Sequence, residues 1–155
     1  MEAGKLNKDF RDLLDEFLTA KVEFLLVGAF ALALHGYPRA TGDMDILVRP
    51  SSENARKLWK ALRSFGAPLE SAGITQDDFM TPDMVYQIGL PPRRIDILTE
   101  VTGLTFAEAW ESRKEASIDG RSIPFLGRSA LIKNKRATGR IQDLADVERL
   151  ESQEE

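Results

Sequence analysis

The sequence predicts a fold that combines strands and helices, α+β (α/β), and three observations lead there. Helix-period stripes such as Phe10, Leu13, Leu14, Phe17 and Leu18 alternate with short apolar runs of strand length such as residues 23–27. Gly28 joins that run directly to a small-residue helical stretch, residues 28–34. Two later runs, residues 43–48 and 94–98, read as strands yet carry aspartates: Asp43, Asp45 and Asp96.

In order along the chain, Asn7 is placed to cap a first helix over residues 7–20, whose apolar stripe is core packing. The strand at 23–27, the helix at 28–34 and the strand at 43–48 follow. Pro50-Ser51-Ser52-Glu53 then supplies a turn and an N-cap for a helix to about Ser64, with Leu58, Leu62 and Phe65 on its buried side. Residues 66–82 have no sustained periodicity and read as loop with one short helical turn. Strands are expected at 84–88 and 94–98, separated by Pro91-Pro92, and a short helix at 105–112. A hairpin over 116–125 turns at Asp119-Gly120, and two helices, 129–136 and 140–150, are broken at Thr138-Gly139.

The 155 residues, 43% of them hydrophobic, suffice for one continuous core. A single domain over residues 1–155 is therefore expected, with a core at about 22–100 and a C-terminal hairpin and helices at about 113–150. The chain has no cysteine, which excludes a disulfide framework and a thiolate metal site. No apolar run approaches the roughly 20 residues that cross a bilayer, and the N-terminus lacks the apolar stretch of a signal peptide. A cytoplasmic protein with no membrane partner is the expectation. With 21 basic and 25 acidic residues the formal charge is −4, which argues against a globally basic nucleic-acid binder. A local basic patch is still open.

The aspartates carry the chemistry. Met44, Ile46 and Val48 face one side of their strand while Asp43, Asp45 and Leu47 face the other; Ile95 and Ile97 face opposite to Asp96. If the two strands lie side by side with the carboxylates on one face, three acids converge, and a divalent cation relieves their repulsion. An all-oxygen set suits magnesium. The alternative is that each aspartate is a turn or edge residue paired with an arginine such as Arg39, Arg93 or Arg94. A strand that ends in glycine and opens a helix also leaves backbone N–H donors for a phosphate, although glycine equally suits a tight connection. His35, the only histidine, reads as a capping or packing residue rather than a catalyst. Lys133, Lys135, Arg136 and Arg140 form the best basic patch, compatible with an RNA acceptor or with a solvated helix face.

Together, Gly28-Ala29, the small-residue helix with His35-Gly36, Pro38-Arg39-Ala40-Thr41 and Asp43-Met44-Asp45 resemble the nucleotidyltransferase fold superfamily that includes DNA polymerase β. Within it the chain looks most similar to small bacterial nucleotidyltransferases, including AbiEii-like proteins and minimal nucleotidyltransferases. Their pattern is a strand, a hydrophobic residue with Gly and then Gly or Ser, an Asp-x-Asp or Asp-x-Glu pair, and a third acid on a later strand. Lys133 with Gly139-Arg140-Ile141-Gln142-Asp143 and Asp146 also resembles a C-terminal segment of AbiEii-like proteins, so the resemblance covers about residues 23–150.

The resemblance implies a nucleotidyltransferase fold with a mixed β-sheet, flanking helices and a C-terminal helical segment. It further implies metal-dependent transfer of a nucleoside monophosphate from an NTP to an acceptor hydroxyl, with pyrophosphate leaving. Asp43, Asp45 and Asp96 would be the catalytic residues and the ligands of Mg2+ or Mn2+, Asp96 also helping to accept the hydroxyl proton. Gly28 and Ala29 would cradle the triphosphate, Arg39 would bind phosphate or balance the aspartates, and Lys133 and Arg140 would neutralise the leaving pyrophosphate or form surface salt bridges. The partners implied are a nucleoside triphosphate and an RNA or protein acceptor, with tRNA or protein as the target if the enzyme is toxin-like. An antitoxin or a second copy of the chain is left open. Ala29 stands where the family has Gly or Ser, so a degenerate member that binds nucleotide or a protein partner without catalysis is the competing expectation.

Overall fold

The computed structural model describes residues 2–3, 6–37 and 42–152. Helix α1 (Lys8–Ala20) starts where the Asn7 side chain accepts the Phe10 N–H at 3.0 Å and stops at Lys21, whose φ of 60° is left-handed. Strand β2 (Phe24–Val27) passes directly into α2 (Gly28–Leu34), and β3 (Met44–Val48) returns antiparallel to β2. The Ser51 side chain caps α3 (Ser52–Phe65) by accepting the Asn54 N–H. Asn54 itself is 2% exposed; its amide donates to the Glu23 and Arg49 carbonyls, and its oxygen accepts the Glu23 N–H at 2.7 Å. One buried side chain thus pins α3 to the start of β2 and the end of β3.

The loop expected over 66–82 contains one 3-10 turn, Gln76–Met80, opened by a Thr75–Asp78 capping box. Strands β4 (Val85–Ile88) and β5 (Ile95–Leu98) follow, then α4 (Phe106–Ser112), the hairpin β6 (Lys114–Ile118) and β7 (Arg121–Phe125), and helices α5 (Arg128–Thr138) and α6 (Ile141–Glu151). The expected break falls at Gly139, at φ 68°. A strand β1 (Glu2–Ala3), too short to have a period, pairs parallel with β6.

The result is a seven-stranded mixed sheet in the order β1-β6-β7-β2-β3-β5-β4. Its two faces follow the period of the strands. Phe24, Leu26, Met44, Ile46, Val48, Ile95 and Ile97 belong to one core cluster with α1 and α3. Leu25, Val27 and Leu47 belong to the other, with residues of α2, α4, α5 and α6. No helix among the described residues is long and apolar enough to cross a membrane.

Candidate active site

Strands β3 and β5 are parallel neighbours, and their register sets Asp45 directly beside Asp96. Both side chains leave the sheet on the face of Leu47, away from Met44, Ile46, Ile95 and Ile97. Asp43 lies one residue before β3. Its Oδ1 accepts the Arg94 backbone N–H at 3.0 Å, while Met44 N–H donates to the Arg94 carbonyl at 2.9 Å, which continues the ladder to the mouth of the site. The three acids named from the sequence are thus brought to one corner.

Gly28 closes the corner from the side. It sits at φ 62°, a conformation that favours glycine, and a Cβ there would run into Oδ2 of Asp45. The absence of a side chain lets the first turn of α2 lie against that carboxylate. Gly28 and Ala29 are both partly exposed.

The electrostatics are uneven. Asp45 is half-buried, and burial, then the neighbouring Asp96 and Asp43 carboxylates, push its pKa up to about 6 against the pull of Arg94. Asp96, 8% exposed, is gripped by Arg94: Nε donates to Oδ1 at 2.8 Å and Nη2 to Oδ2 at 3.2 Å. The same Nη2 stands 3.7 Å from Oδ2 of Asp43. The two readings of the aspartates therefore meet in one place, since the acids converge and two of them are also paired with an arginine. The sequence marked Arg94 only as one of three potential partners; its location within the corner depends on the register.

An oxygen-only set of neighbouring carboxylates suits a divalent cation such as Mg2+ or Mn2+. As they stand, no three His, Cys, Asp or Glu side chains among the described residues are gathered closely enough to hold an ion. The chemistry of the donors fits, whereas their present arrangement is the one that fits Arg94.

The remaining candidates lie elsewhere or are already engaged. Arg39 is outside the described residues. Lys133 pairs with Glu108 of α4 at 2.6 Å, and Arg140 pairs with Asp143 at 2.7 Å. Lys135 lies between Asp143, at 3.5 Å, and Asp146, at 2.9 Å, and Arg136 pairs with Glu151. Every member of the basic patch thus has an acidic partner, and the resembling C-terminal segment joins α5 to α6. His35 behaves as a packing residue: its Nε2 is 2.9 Å from the Leu126 carbonyl, its ring meets Phe125 edge-on, and burial lowers its pKa.

The mixed sheet with helices packed on its faces is the nucleotidyltransferase fold. Solved structures agree. The chain superposes over 97% of its length on 98% of TM1012 from Thermotoga maritima, described as a nucleotidyltransferase, with a TM-score of 0.61 and 14% identity. It matches the lincosamide antibiotic adenylyltransferase LnuA, solved with lincomycin, over 97% of this chain and 99% of that one, with a TM-score of 0.56 and 18% identity. An antigenic nucleotidyltransferase-like protein from Paracoccidioides brasiliensis is covered over 74%, by 92% of this chain, with a TM-score of 0.52 and 16% identity. No protein-family model and no curated protein sequence matches the chain.

Proposed function

We propose that the protein transfers a nucleoside monophosphate from an NTP to an acceptor hydroxyl. The observation that carries this reading is the Asp45–Asp96 register on parallel strands, with Asp43 at the mouth and Gly28 pressed against Asp45. The acceptor oxygen forms a bond to the α-phosphorus as the bond from that phosphorus to the pyrophosphate oxygen breaks. The proton of the acceptor passes to a carboxylate of the corner, with Asp96 as the assigned acceptor. Asp43, Asp45 and Asp96 would hold Mg2+ or Mn2+, which when bound lowers the hydroxyl pKa and neutralises phosphate charge. Backbone N–H groups of Gly28 and Ala29 orient the triphosphate, Arg39 binds phosphate, and Lys133 and Arg140 are left to outer roles by their ion pairs.

Two acceptor classes follow. A small-molecule acceptor is favoured by the engagement of Lys133, Lys135, Arg136 and Arg140 with acids, and LnuA, a lincosamide antibiotic adenylyltransferase solved with lincomycin, has a small-molecule ligand of that kind. A toxin-like action on tRNA or a protein, with an antitoxin or a second copy as partner, rests on the AbiEii resemblance. A second reading, a nucleotide-binding protein without catalysis, is favoured by Ala29 and by the grip of Arg94 on the acids.

The test incubates the protein and Mg2+ or Mn2+ with each labelled NTP and, separately, with small-metabolite pools, total RNA and cell extract. Label on an acceptor that disappears in Asp96→Asn supports transfer. NTP binding that depends on Asp43 and Asp45 but yields no labelled product in any pool supports the binding protein instead.

A further inference from the structure

We propose that Arg94 is a tethered counterion that occupies the carboxylate corner in the metal-free protein and must be displaced for a divalent cation to enter; this rests on the nucleotidyl-transfer reading above. Two independent features of the molecule point to it. The first is contact geometry. All four oxygens of Asp43 and Asp96 face Arg94: its side chain lies 2.8 and 3.2 Å from the two oxygens of Asp96 and 3.7 Å from Oδ2 of Asp43, and its backbone N–H is 3.0 Å from the remaining oxygen. The second is that no set of three acids among the described residues is disposed to surround an ion. Asp45 and Asp96 are nonetheless register partners on adjacent strands.

A divalent ion such as Mg2+ needs carboxylate oxygens at about 2.1 Å. The guanidinium takes one lone pair of each Asp96 oxygen and sets a positive charge between Asp96 and Asp43, so a divalent ion entering the corner meets like-charge repulsion and a partly engaged donor set. Arg94 is well placed to yield. Its side chain is 29% exposed, so it can swing into solvent without opening the core, while its backbone stays in the ladder through the Asp43 and Met44 contacts. Asp45 is the register partner of Asp96, and among the described residues no guanidinium is hydrogen-bonded to it.

The alternative role for such an arginine is to hold Asp96 in the orientation a metal needs. The two roles predict opposite signs. If Arg94 competes, Arg94→Gln binds Mn2+ more tightly than wild type; if it positions, the substitution weakens binding. The experiment titrates Mn2+ alone into full-length wild type, Arg94→Gln, Arg94→Lys and Asp45→Asn, by calorimetry and by the electron paramagnetic resonance signal of free Mn2+. Melting temperature is measured in chelator and in Mn2+.

The expected result is at least about fivefold tighter Mn2+ binding in Arg94→Gln, equivalent to about 1 kcal/mol. Arg94→Lys, which keeps the charge but loses the fork, should fall between Arg94→Gln and wild type, and guards against a glutamine variant that does not fold. In chelator the glutamine variant should melt below wild type, because it removes the Arg94 charge from beside the acids, and Mn2+ should raise it by more than it raises wild type. Equal or weaker Mn2+ binding in both arginine variants, with wild-type binding that depends on Asp45, overturns the counterion role alone. Mn2+ binding that is absent from wild type and from both arginine variants, or binding that is indifferent to Asp45→Asn, overturns the nucleotidyl-transfer reading, and this proposal with it.

Discussion

At the scale of single residues, Asp45 links the site to stability. Its folded-state pKa, about 6, lies above the ordinary 3.8, with burial as the main cause. A group raised in this way favours folding fully below about pH 4 and loses that contribution as pH climbs through 6. Screening at a half-buried position brings the effect to about 1–2 kcal/mol. Asp45→Asn should therefore melt above wild type in chelator at about pH 8 and match it near pH 4, while losing any transfer activity. A melting series across that range checks it, and equal pH dependence in the two proteins would contradict the assignment. Asp43, Asp45 and Asp96 were legible as a set because aspartate is conspicuous in a run of Ile, Leu and Val. Arg94 was visible only as one arginine among three, since nothing in linear order says which guanidinium a strand register will lay across two acids.

At the scale of elements, the join between α5 and α6 is the clearest energetic claim. Asp143 and Asp146 are each 3% exposed, and Lys135 reaches both. Burial alone would raise the pKa of Asp143, but hydrogen bonds from Arg140 and Thr138 and the charge of Lys135 prevail and hold it down at about 2. The stabilisation from Asp143 is therefore full above about pH 4 and is lost as the pH falls towards 2. Lys135→Met removes the cation shared by these two buried acids while Asp143 keeps Arg140, and should cost about 2–3 kcal/mol by denaturant titration. Lys133→Ala, which breaks the exposed pair with Glu108, should cost less than about 1 kcal/mol. Helix and strand limits were largely readable because caps announce them: Asn7, Ser51 and Thr105 each accept a backbone N–H three residues on. The role of Lys135 was not readable, because a lysine in a basic run looks solvated until a second helix folds over it.

At the scale of the whole molecule, the sheet separates two cores, and the second is closed by the C-terminal helices. Leu25, Val27 and Leu47, all at most 2% exposed, pack in the cluster to which α5 and α6 contribute Leu131, Val147 and Leu150. A chain ending at residue 126 should expose that face, bind a hydrophobic dye and melt without a cooperative transition. A sharp transition with no dye binding would show that the first core stands alone. The strand order was the least legible feature, because pairing partners are chosen across the chain rather than within it. That same choice has a consequence for the life of the protein. Asp43 and Arg94 are 51 residues apart, and their contact forms only when β5 docks alongside β3. Closing a loop of that size carries an entropy cost that local helical contacts do not. A nascent or partly unfolded chain therefore has no carboxylate corner, and the meeting of Asp43, Asp96 and Arg94 becomes a report that β5 has docked on β3.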